Sequence, residues 1–351
     1  MHNAFLDTIS GRKRGFGAAC ARSALAVCAP AYGCGVRIRN WRFDRPHESV
    51  TVGVPVISVG NITTGGTGKT PVVAWIVDRL LHLGCRPAIL SRGYKSLDGD
   101  ANDEKRLLDR LCPGVPHIQN PDRVAGAHRA ITESGSDILV MDDGFQHRRL
   151  RRDLDIVLID ALNPWGYGHL LPRGLLREPP SALKRAELVL ITRENAVDAT
   201  NLRQLQQDIT RHTRAPVVTS AFRAGGLVDA GGTVSPLTAI SGQTVVAFSG
   251  IGNPIGFQRT LAEINPQLIR VKHLVFPDHH DYRSDDLLRI AAAAQDANAN
   301  LLLTTEKDLV KLPSQVEGLP VRAVRIGLQL ASESDQLQQR VDAITQRRGV
   351  A

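Results

Sequence analysis

A glycine-rich segment between two apolar runs is the feature that most constrains how this chain can fold. The run at residues 56–59 predicts a strand, and the run at residues 72–77 has a helical pattern. Between them, residues 60–71 contain Gly-Gly-Thr-Gly-Lys-Thr. Small residues in such a loop let backbone N–H groups converge on phosphate oxygens, and the following helix directs its positive end at the same place. The segment therefore predicts a phosphate-binding loop in an α/β domain.

The loop residues predict how a nucleotide would be held. Lys69 would reach the β and γ phosphates, and the Thr70 hydroxyl would bind magnesium. The first glycine of the G-x-x-x-x-G-K-[ST] pattern falls on Thr63, while later glycines supply the flexible backbone. A glycine-rich turn without a ligand is the alternative. The predicted nucleotide-binding residues are Thr63, Thr64, Gly65, Gly66, Thr67, Gly68, Lys69 and Thr70.

Composition limits the class of protein. The chain has 351 residues, 42% of them hydrophobic, which is enough to bury the cores of two domains. Its net charge of +8 and isoelectric point of about 9.5 favour an anionic partner, which could be a nucleotide, a nucleic acid or an acidic membrane surface. The five cysteines form no CxxC pair and have no histidine at zinc spacing, so a reducing, cytoplasmic setting is expected.

The first 45 residues differ from the rest in charge. A charge-free segment at residues 23–36 lies between basic residues and is too short to span a bilayer, which takes roughly 20 apolar residues. This pattern predicts an interfacial anchor, with a terminal helix packed on its own domain as the alternative. The basic residues are Arg12, Lys13, Arg14, Arg22, Arg37, Arg39, Arg42 and Arg45. The apolar side chains expected in the membrane are Phe5, Leu6, Phe16, Leu25 and Val27.

Short apolar runs along the rest of the chain predict a P-loop NTPase-like, doubly wound and mostly parallel sheet, with ligands beyond the carboxyl ends of its strands. The runs are residues 86–92, 138–141, 156–159, 188–191 and 217–218. Two glycine pairs at residues 225–232 indicate a β-hairpin connector. The predicted domains are a membrane-associating helical region at 1–45, a P-loop domain at 46–223, the connector at 224–240 and a smaller α/β domain at 241–351, which ends in a helix.

Acidic residues after strands are the candidates for metal binding and proton transfer. Asp142 ends an apolar strand and would hold magnesium, whereas Asp143 would point elsewhere. Asp103 and Glu104 follow a core strand in a loop and could act on an acceptor hydroxyl. Two histidines lie beside two aspartates at residues 276–282, which favours proton transfer by a histidine over a metal site. Solvated carboxylates or a hydrogen-bonded cluster are the alternative for each set.

Three further patterns concern the substrate. Arginines that follow strands or lie in loops would suit a phosphorylated acceptor. Residues 166–179 mix apolar and basic side chains, as an amphiphilic substrate would require. Residues 305–308, Thr-Glu-Lys-Asp, resemble a guanine-reading motif with its middle residues exchanged, so guanine specificity is not expected. The arginines are Arg92, Arg123, Arg148, Arg149, Arg151, Arg152, Arg173 and Arg177.

Taken in order, these motifs resemble those of the tetraacyldisaccharide 4'-kinases of lipid A synthesis. The resemblance runs from about residue 12 to residue 312, and Thr63 in place of glycine agrees with the loop of that family. The motifs lie at residues 60–63, 65–71, 91–94, 103–104, 142–147, 171–174, 176–179, 248–252, 276–280 and 305–308.

The resemblance implies an enzyme that transfers the γ-phosphate of ATP, with Mg²⁺, to the 4'-hydroxyl of a tetraacylated glucosamine disaccharide 1-phosphate. It implies a peripheral or monotopic position on the cytoplasmic face of the bacterial inner membrane, with an amphiphilic glycolipid as substrate and no nucleic acid as partner. Asp103 would be the catalytic carboxylate, paired with His279 and assisted by Lys69. The expected metal-binding residues are Thr70, Asp142 and Glu104. The expected acceptor contacts are Arg92, Arg123, Asp143, His147, Arg177 and Glu178.

Two functions of other classes remain open from the residues alone. One is a nucleotide-switch or partitioning ATPase with a basic nucleic-acid or membrane binding surface, which predicts salt-dependent DNA binding. Against it, the signature lysine of the partitioning ATPases would fall on Thr64, and the aromatic content is only 4%. The other is a peripheral membrane scaffold with a vestigial loop, which would transfer no phosphate. The sequence does not indicate an oligomeric state.

Overall fold

The computed structural model of the chain forms two compact units. It describes residues 2–45, 48–93, 103–264, 272–331 and 335–346. Unit 1 comprises Met1–Arg92, Val115–Ala221 and Leu330–Ala351, and unit 2 comprises Gly93–Gly114 and Phe222–Gln329. This division differs from the ranges expected from the sequence, because residues 93–114 belong to unit 2 and the C-terminal residues return to unit 1.

Strands and helices alternate along most of the chain. The strands are β1 (Val56–Asn61), β2 (Pro87–Ser91), β3 (His117–Gln119), β4 (Ile138–Asp142), β5 (Leu154–Asp160), β6 (Leu188–Thr192), β7 (Val217–Val228), β8 (Val234–Ser235), β9 (Val245–Ser249), β10 (His273–Val275), β11 (Leu301–Thr305), β12 (Gln315–Val316) and β13 (Leu319–Leu330). The helices are α1 (His2–Ile9), α2 (Phe16–Phe43), α3 (Lys69–His82), α4 (Asp103–Leu111), α5 (Arg123–Ser134), α6 (Ala199–Thr210), α7 (Pro254–Ile264), α8 (Ser284–Asp296), α9 (Glu306–Leu309) and α10 (Asp335–Thr345).

Unit 1 is built on a parallel sheet with the strand order β7-β6-β5-β1-β4-β2-β3. Val59 of β1 pairs with Asp142 of β4, so the phosphate loop and the acidic residues follow neighbouring strands at one edge. Strands β1, β2 and β4 are buried along their whole length. One apolar cluster joins the sheet to α5 and another joins it to α6. The predicted doubly wound, mostly parallel sheet is confirmed.

Helix α10 returns the end of the chain to unit 1. Arg79 of α3 donates hydrogen bonds of 2.9 and 2.7 Å to the two carboxylate oxygens of Asp342 on α10. The buried side chains of α10 are Leu337, Val341 and Ile344. The sequence grouped this helix with the smaller domain because it follows that domain in the chain, whereas its apolar face and its ion pair belong to unit 1.

Unit 2 contains a smaller parallel sheet in the order β10-β9-β11-β13. Its core includes Phe248, Ile290 and Leu302, which are fully buried. Strands β7 and β8 pair antiparallel through Leu227 and Ser235, which is the hairpin predicted for the connector. Helix α4 also belongs to this unit, and it corrects the expectation of an acidic loop. Its first turn carries Asp103 and Glu104, and negative charge at this end of a helix interacts favourably with the helix dipole.

Helix α2 extends well beyond the charge-free segment at residues 23–36. It runs for 28 residues and passes through Pro30. Large apolar side chains on it face solvent, with exposures of 87% for Phe16, 79% for Val27, 68% for Ile38 and 60% for Trp41. Phe5 and Leu25, which the sequence placed in the membrane, line a cavity of about 530 Å³ at α1 and α2. Among the described residues, no helix has both the length and the apolar content needed to cross a bilayer.

Gly60 of β1 lies where a side chain would not fit. A carbon added at its Cβ position would lie 2.6 Å from the backbone N of Phe145. Gly60→Ala should therefore lower the free energy of unfolding by about 1–3 kcal/mol, the usual cost of overpacking a core. Chemical denaturation would measure the change. Gly53→Ala is the control, because nothing lies within 4 Å of the added carbon there, and equal losses in both variants would contradict the prediction.

Candidate active site

The phosphate loop joins β1 to α3 and is shaped by backbone contacts. Gly65 and Gly68 adopt φ angles of 111° and 85°, which L side chains rarely adopt. The Thr64 N–H donates to the Leu175 carbonyl at 2.7 Å. On the other side, the Thr192 hydroxyl donates to the Thr67 carbonyl at 2.9 Å. Hydrogen bonds from neighbouring segments thus hold the loop in place. Gly65 and the following glycine remain exposed, as a phosphate-binding loop requires.

Lys69 begins helix α3 and faces a carboxylate. Its Nζ lies 3.4 Å from Oδ1 of Asp143 and 3.5 Å from Oδ1 of Asn61. Arg177 pairs with the other carboxylate oxygen of Asp143 at 2.7 Å. Burial alone would raise the pKa of Asp143, but Lys69 and Arg177 together hold it below its usual range. The predicted nucleotide lysine and two predicted acceptor residues therefore form one ion cluster.

Gln146 and Asn61 complete this cluster, although the sequence assigned neither a role. The Gln146 side-chain amide donates to the Asn61 carbonyl at 2.8 Å, and its oxygen lies 3.3 Å from Nη1 of Arg177. The Asn61 side chain donates to the Thr63 carbonyl at 2.7 Å. Both residues lie inside the motifs that carried the family resemblance, which was the available signal. They brace Lys69 and Arg177 on the same side of the loop.

Thr70 and Asp142 are the predicted metal-binding residues of unit 1. Thr70 lies in the first turn of α3, directly after Lys69. Asp142 is buried at the end of β4, the strand beside β1. Glu104, the third predicted metal residue, is exposed in the first turn of α4 in unit 2. Within the described ranges, no three His, Cys, Asp or Glu side chains form a cluster that could hold a metal ion.

Arg123 and His147 occupy a buried basic region near Asp142. Arg123 is 3% exposed and donates to the Asn120 carbonyl at 2.6 Å. Burial lowers the pKa of Arg123 to about 10, and Asp142 opposes that shift. Burial, followed by the charge of Arg123, lowers the pKa of His147 to about 4. Arg92 is exposed after β2, and its charge also lowers the pKa of Arg123 and of His147. These three predicted acceptor residues therefore share one electrostatic environment.

Glu178 differs from the other predicted acceptor residues, because the structure commits it to the protein. The side chain is fully buried. Its oxygens accept hydrogen bonds from Asn40 at 2.7 Å, Arg185 at 2.9 Å and Arg39 at 3.4 Å. Two of these donors lie on α2, so Glu178 anchors this helix to the rest of unit 1. A buried carboxylate with three protein donors can anchor the structure, and a contact between Glu178 and the acceptor stays a prediction.

Asp103 and His279 come together in unit 2, as the resemblance implied. The ring Nδ1 of His279 lies 3.3 Å from Oδ2 of Asp103. Lys311, which the sequence did not single out, places its Nζ 3.3 Å from the same oxygen. The hydrogen bond to His279, followed by the charge of Lys311, holds the pKa of Asp103 below its usual range against the effect of burial. Asp103 is therefore an ionised carboxylate, able to accept a proton, at neutral pH.

The chain matches a known protein family over most of its length. A family model described as Tetraacyldisaccharide-1-P 4'-kinase matches residues 21–346. The chain belongs to this family. A tetraacyldisaccharide 4'-kinase from Syntrophus aciditrophicus is 40% identical over 323 residues, covering 84% of this chain and 86% of that protein. Another, from Anaeromyxobacter sp. (strain Fw109-5), is 41% identical over 315 residues, covering 84% of each.

A solved structure from the tetraacyldisaccharide-1-P 4'-kinase family supports the fold. It is the "apo" form of LpxK from Aquifex aeolicus in complex with ATP, which is 29% identical to this chain. The match has a TM-score of 0.74 and covers 92% of this chain and 99% of that one. The P-loop α/β fold is thus confirmed, and the alternative of a nucleotide-switch ATPase is not favoured.

The half-buried His147 predicts a dependence of stability on pH. Its pKa is about 4 in the folded chain and about 6.5 in an unfolded one. Between these values the unfolded chain binds more protons, so the free energy of unfolding falls as the pH decreases from about 7 to about 4.

Over that pH range, the free energy of unfolding of His147→Gln should fall by roughly 1–3 kcal/mol less than that of the wild type, since a neutral amide cannot be protonated there. Denaturant titrations at several pH values would measure the difference. His128→Gln, at an exposed position on α5, is the matched control and should follow the wild type. A His147 variant with the wild-type pH profile would contradict the assignment.

Proposed function

We propose that this chain is an ATP-dependent phosphotransferase that phosphorylates the 4'-hydroxyl of a tetraacylated glucosamine disaccharide 1-phosphate in lipid A biosynthesis. The observation that carries the proposal is the family match over residues 21–346 in a chain with an ionised Asp103 held by His279. The relatives named above carry the same kinase name. The phosphate loop of unit 1 supplies the nucleotide site that such a reaction needs.

ATP would be held by the loop at residues 63–70 and by Lys69. Backbone N–H groups of the loop and the N-terminus of α3 suit phosphate oxygens. In this structure the ammonium of Lys69 faces the carboxylate of Asp143 at 3.4 Å. A bound triphosphate would offer Lys69 a second anionic partner, and Arg177 would keep Asp143 neutralised by its own contact of 2.7 Å. Lys69 would then stabilise charge on the transferring phosphoryl group.

Magnesium fits the residues that follow β1 and β4. The Thr70 hydroxyl and the buried carboxylate of Asp142 are oxygen ligands, and Mg²⁺ usually takes only one or two protein oxygens besides phosphate oxygens and water. Glu104 remains a predicted supporting residue. When bound, the ion would neutralise charge on the β and γ phosphates.

Asp103 would take the proton of the acceptor alcohol. The 4'-oxygen forms a bond to the γ-phosphorus, the bond from that phosphorus to the bridging oxygen of ADP breaks, and the hydroxyl proton passes to Asp103. His279 would orient the carboxylate through its contact at 3.3 Å. Lys311 would keep Asp103 ionised before transfer, since its ammonium lies at the same distance from Oδ2.

Basic residues near Asp142 would bind the acceptor. Arg123 keeps its charge at neutral pH even though burial lowers its pKa to about 10. A desolvated guanidinium binds a phosphate oxygen more strongly than a hydrated one does, because less water must be removed. Arg92 and Arg177 add positive charge to the same unit. His147, whose pKa is about 4, would contact the sugar as a neutral imidazole.

The enzyme would take a peripheral or monotopic position at the cytoplasmic face of the inner membrane. This position is supported by helix α2, which exposes Phe16, Val27, Ile38 and Trp41. The arginines and the lysine of residues 12–45 would bind anionic head groups, and the exposed apolar side chains would enter the interface. An acylated disaccharide resides in that interface, so the anchor would bring enzyme and substrate to the same surface.

One assay tests the reaction and the role of Asp103 together. Purified protein is incubated with labelled ATP, Mg²⁺ and a detergent-dispersed tetraacyldisaccharide 1-phosphate, and label on the lipid is measured. Asp103→Ala should reduce kcat by about 10²–10⁴-fold with little change in ATP affinity, as expected for loss of a general base. Asp109→Ala, on the same helix and paired with Lys105, is the control and should keep wild-type turnover. Unlabelled lipid with the wild type would reject the proposed function.

Substitutions that introduce negative charge on α2 test whether this helix is the membrane anchor. Phe16→Glu combined with Val27→Glu should weaken co-sedimentation with anionic phospholipid vesicles by at least about tenfold, because two large apolar side chains no longer enter the interface. Leu288→Glu on α8 is the matched control, since Leu288 is 57% exposed in unit 2. If the double variant and the control sediment alike, α2 is not the anchor.

A further inference from the structure

The turn after β11 carries the Thr-Glu-Lys-Asp motif, to which the proposed reaction assigns no role. Thr305 caps α9, and its hydroxyl donates to Oδ2 of Asp308 at 2.7 Å. Asp308 is fully buried, and the same oxygen accepts the backbone N–H of Gly250 at 3.0 Å. This fixes the turn against the loop that follows β9. The side chain of Lys307 therefore starts from a rigid backbone.

The loop after β9 also holds the backbone of His279. The Gly250 carbonyl accepts the His279 N–H at 3.1 Å, and Oδ1 of Asp278 lies 3.1 Å from the same nitrogen. His279 adopts a φ of 58°, in the left-handed region that residues with a side chain rarely adopt. A side chain on Gly250 would approach Asp308 and His280 to 3.0 and 3.1 Å. The imidazole of His279 is thus aimed by its backbone.

Lys307 lies at the far nitrogen of that imidazole. Its Nζ is 2.9 Å from Oδ1 of Asp278 and 3.2 Å from Nε2 of His279. An ammonium group has only donors, so Nε2 must accept this hydrogen bond. The proton of the neutral ring is then on Nδ1, which faces Oδ2 of Asp103 at 3.3 Å. Although burial opposes it, Lys307 holds the pKa of Asp278 below its usual range, so the two stay an ion pair.

The described charged groups that face the imidazole lie on three different segments. Asp103 comes from α4, Asp278 from the loop after β10, and Lys307 and Lys311 from α9 and the turn that follows it. Lys311 is 6% exposed and donates to the His280 carbonyl at 2.8 Å while it contacts Oδ2 of Asp103. The contacts from His279 and Lys311 both fall on Oδ2 of Asp103.

We propose that Lys307 is a positioning residue that keeps His279 in the Nδ1–H tautomer. In this tautomer the ring donates a hydrogen bond to Asp103 and orients that carboxylate. The lysine touches neither nucleotide nor acceptor in this role. Its effect on turnover rests on the proposed kinase function, but the tautomer does not. A lysine serves this purpose because it donates to Nε2 and cannot accept from it, which excludes the opposite tautomer.

Ring-¹⁵N-labelled histidine makes the tautomer visible by NMR in the full-length protein, with His279→Asn used to assign the signal. The wild type should show Nδ1 protonated and Nε2 unprotonated at His279. Lys307→Met, which keeps the length of the side chain but removes the donor, should move the ring to Nε2–H or to a mixture. Lys307→Arg, which still donates, should retain the wild-type pattern. Lys272→Met is the control, because Lys272 pairs with Asp296 on the surface of the same unit.

Kinetics supply the second measurement. Lys307→Met should lower kcat by about 10–100-fold with KM for ATP changed by less than about twofold, since only the orientation of the base is affected. Lys307→Arg should recover most of that loss. A kcat loss with an unchanged tautomer, or an unchanged kcat with a changed tautomer, would overturn the proposal.

Two further outcomes keep this test separate from the proposed function. If the wild type transfers no phosphate, the kinase proposal fails, whereas the NMR signal still decides the tautomer. Thermal unfolding of each variant checks its fold. If Lys307→Met does not fold, the wild-type spectrum decides alone, because an Nε2–H ring at His279 would contradict the assignment.

Discussion

The parallel pairing of β1 with β4 is the constraint on which the nucleotide site depends. Because parallel strands end at the same edge of a sheet, the residue that starts α3 and the residue that follows β4 become neighbours. Lys69 and Asp143 lie 3.4 Å apart for this reason, and Arg177 pairs with the same carboxylate. The resulting cluster contains two cations and one carboxylate, so its net charge is positive.

In unit 2, several contacts hold Asp103 and His279 in a fixed relation. A single interaction between two side chains on the surface would be weak and mobile. Here the left-handed backbone of His279, the glycine beneath it and the buried Asp308 fix one side of the pair. Lys307 and Lys311 fix the charges around it. Lys307 of the Thr-Glu-Lys-Asp motif thus contacts the imidazole of His279.

The N-terminal helix shows how one buried carboxylate can serve the architecture. Glu178 follows the arginine of the phosphate-loop cluster directly in the chain, and it binds Arg39 and Asn40 of α2. The backbone of Arg177 also accepts a hydrogen bond from Tyr32 at 3.1 Å. The proposed anchor is therefore connected, through adjacent residues, to the ion cluster that includes Lys69.

The sequence predicted the elements whose signals are local. The Gly-rich loop after an apolar run, the buried strands, the hairpin glycines and the order of motifs all follow from short-range chemistry, and they were sufficient to name the family. It could not determine contacts between distant segments, because those depend on which helix end or strand edge each residue reaches. The folded structure was needed to show that α10 belongs to unit 1, that Glu178 anchors α2 and that Lys307 faces His279. Burial and pairing, unlike propensity, are properties of the folded chain as a whole.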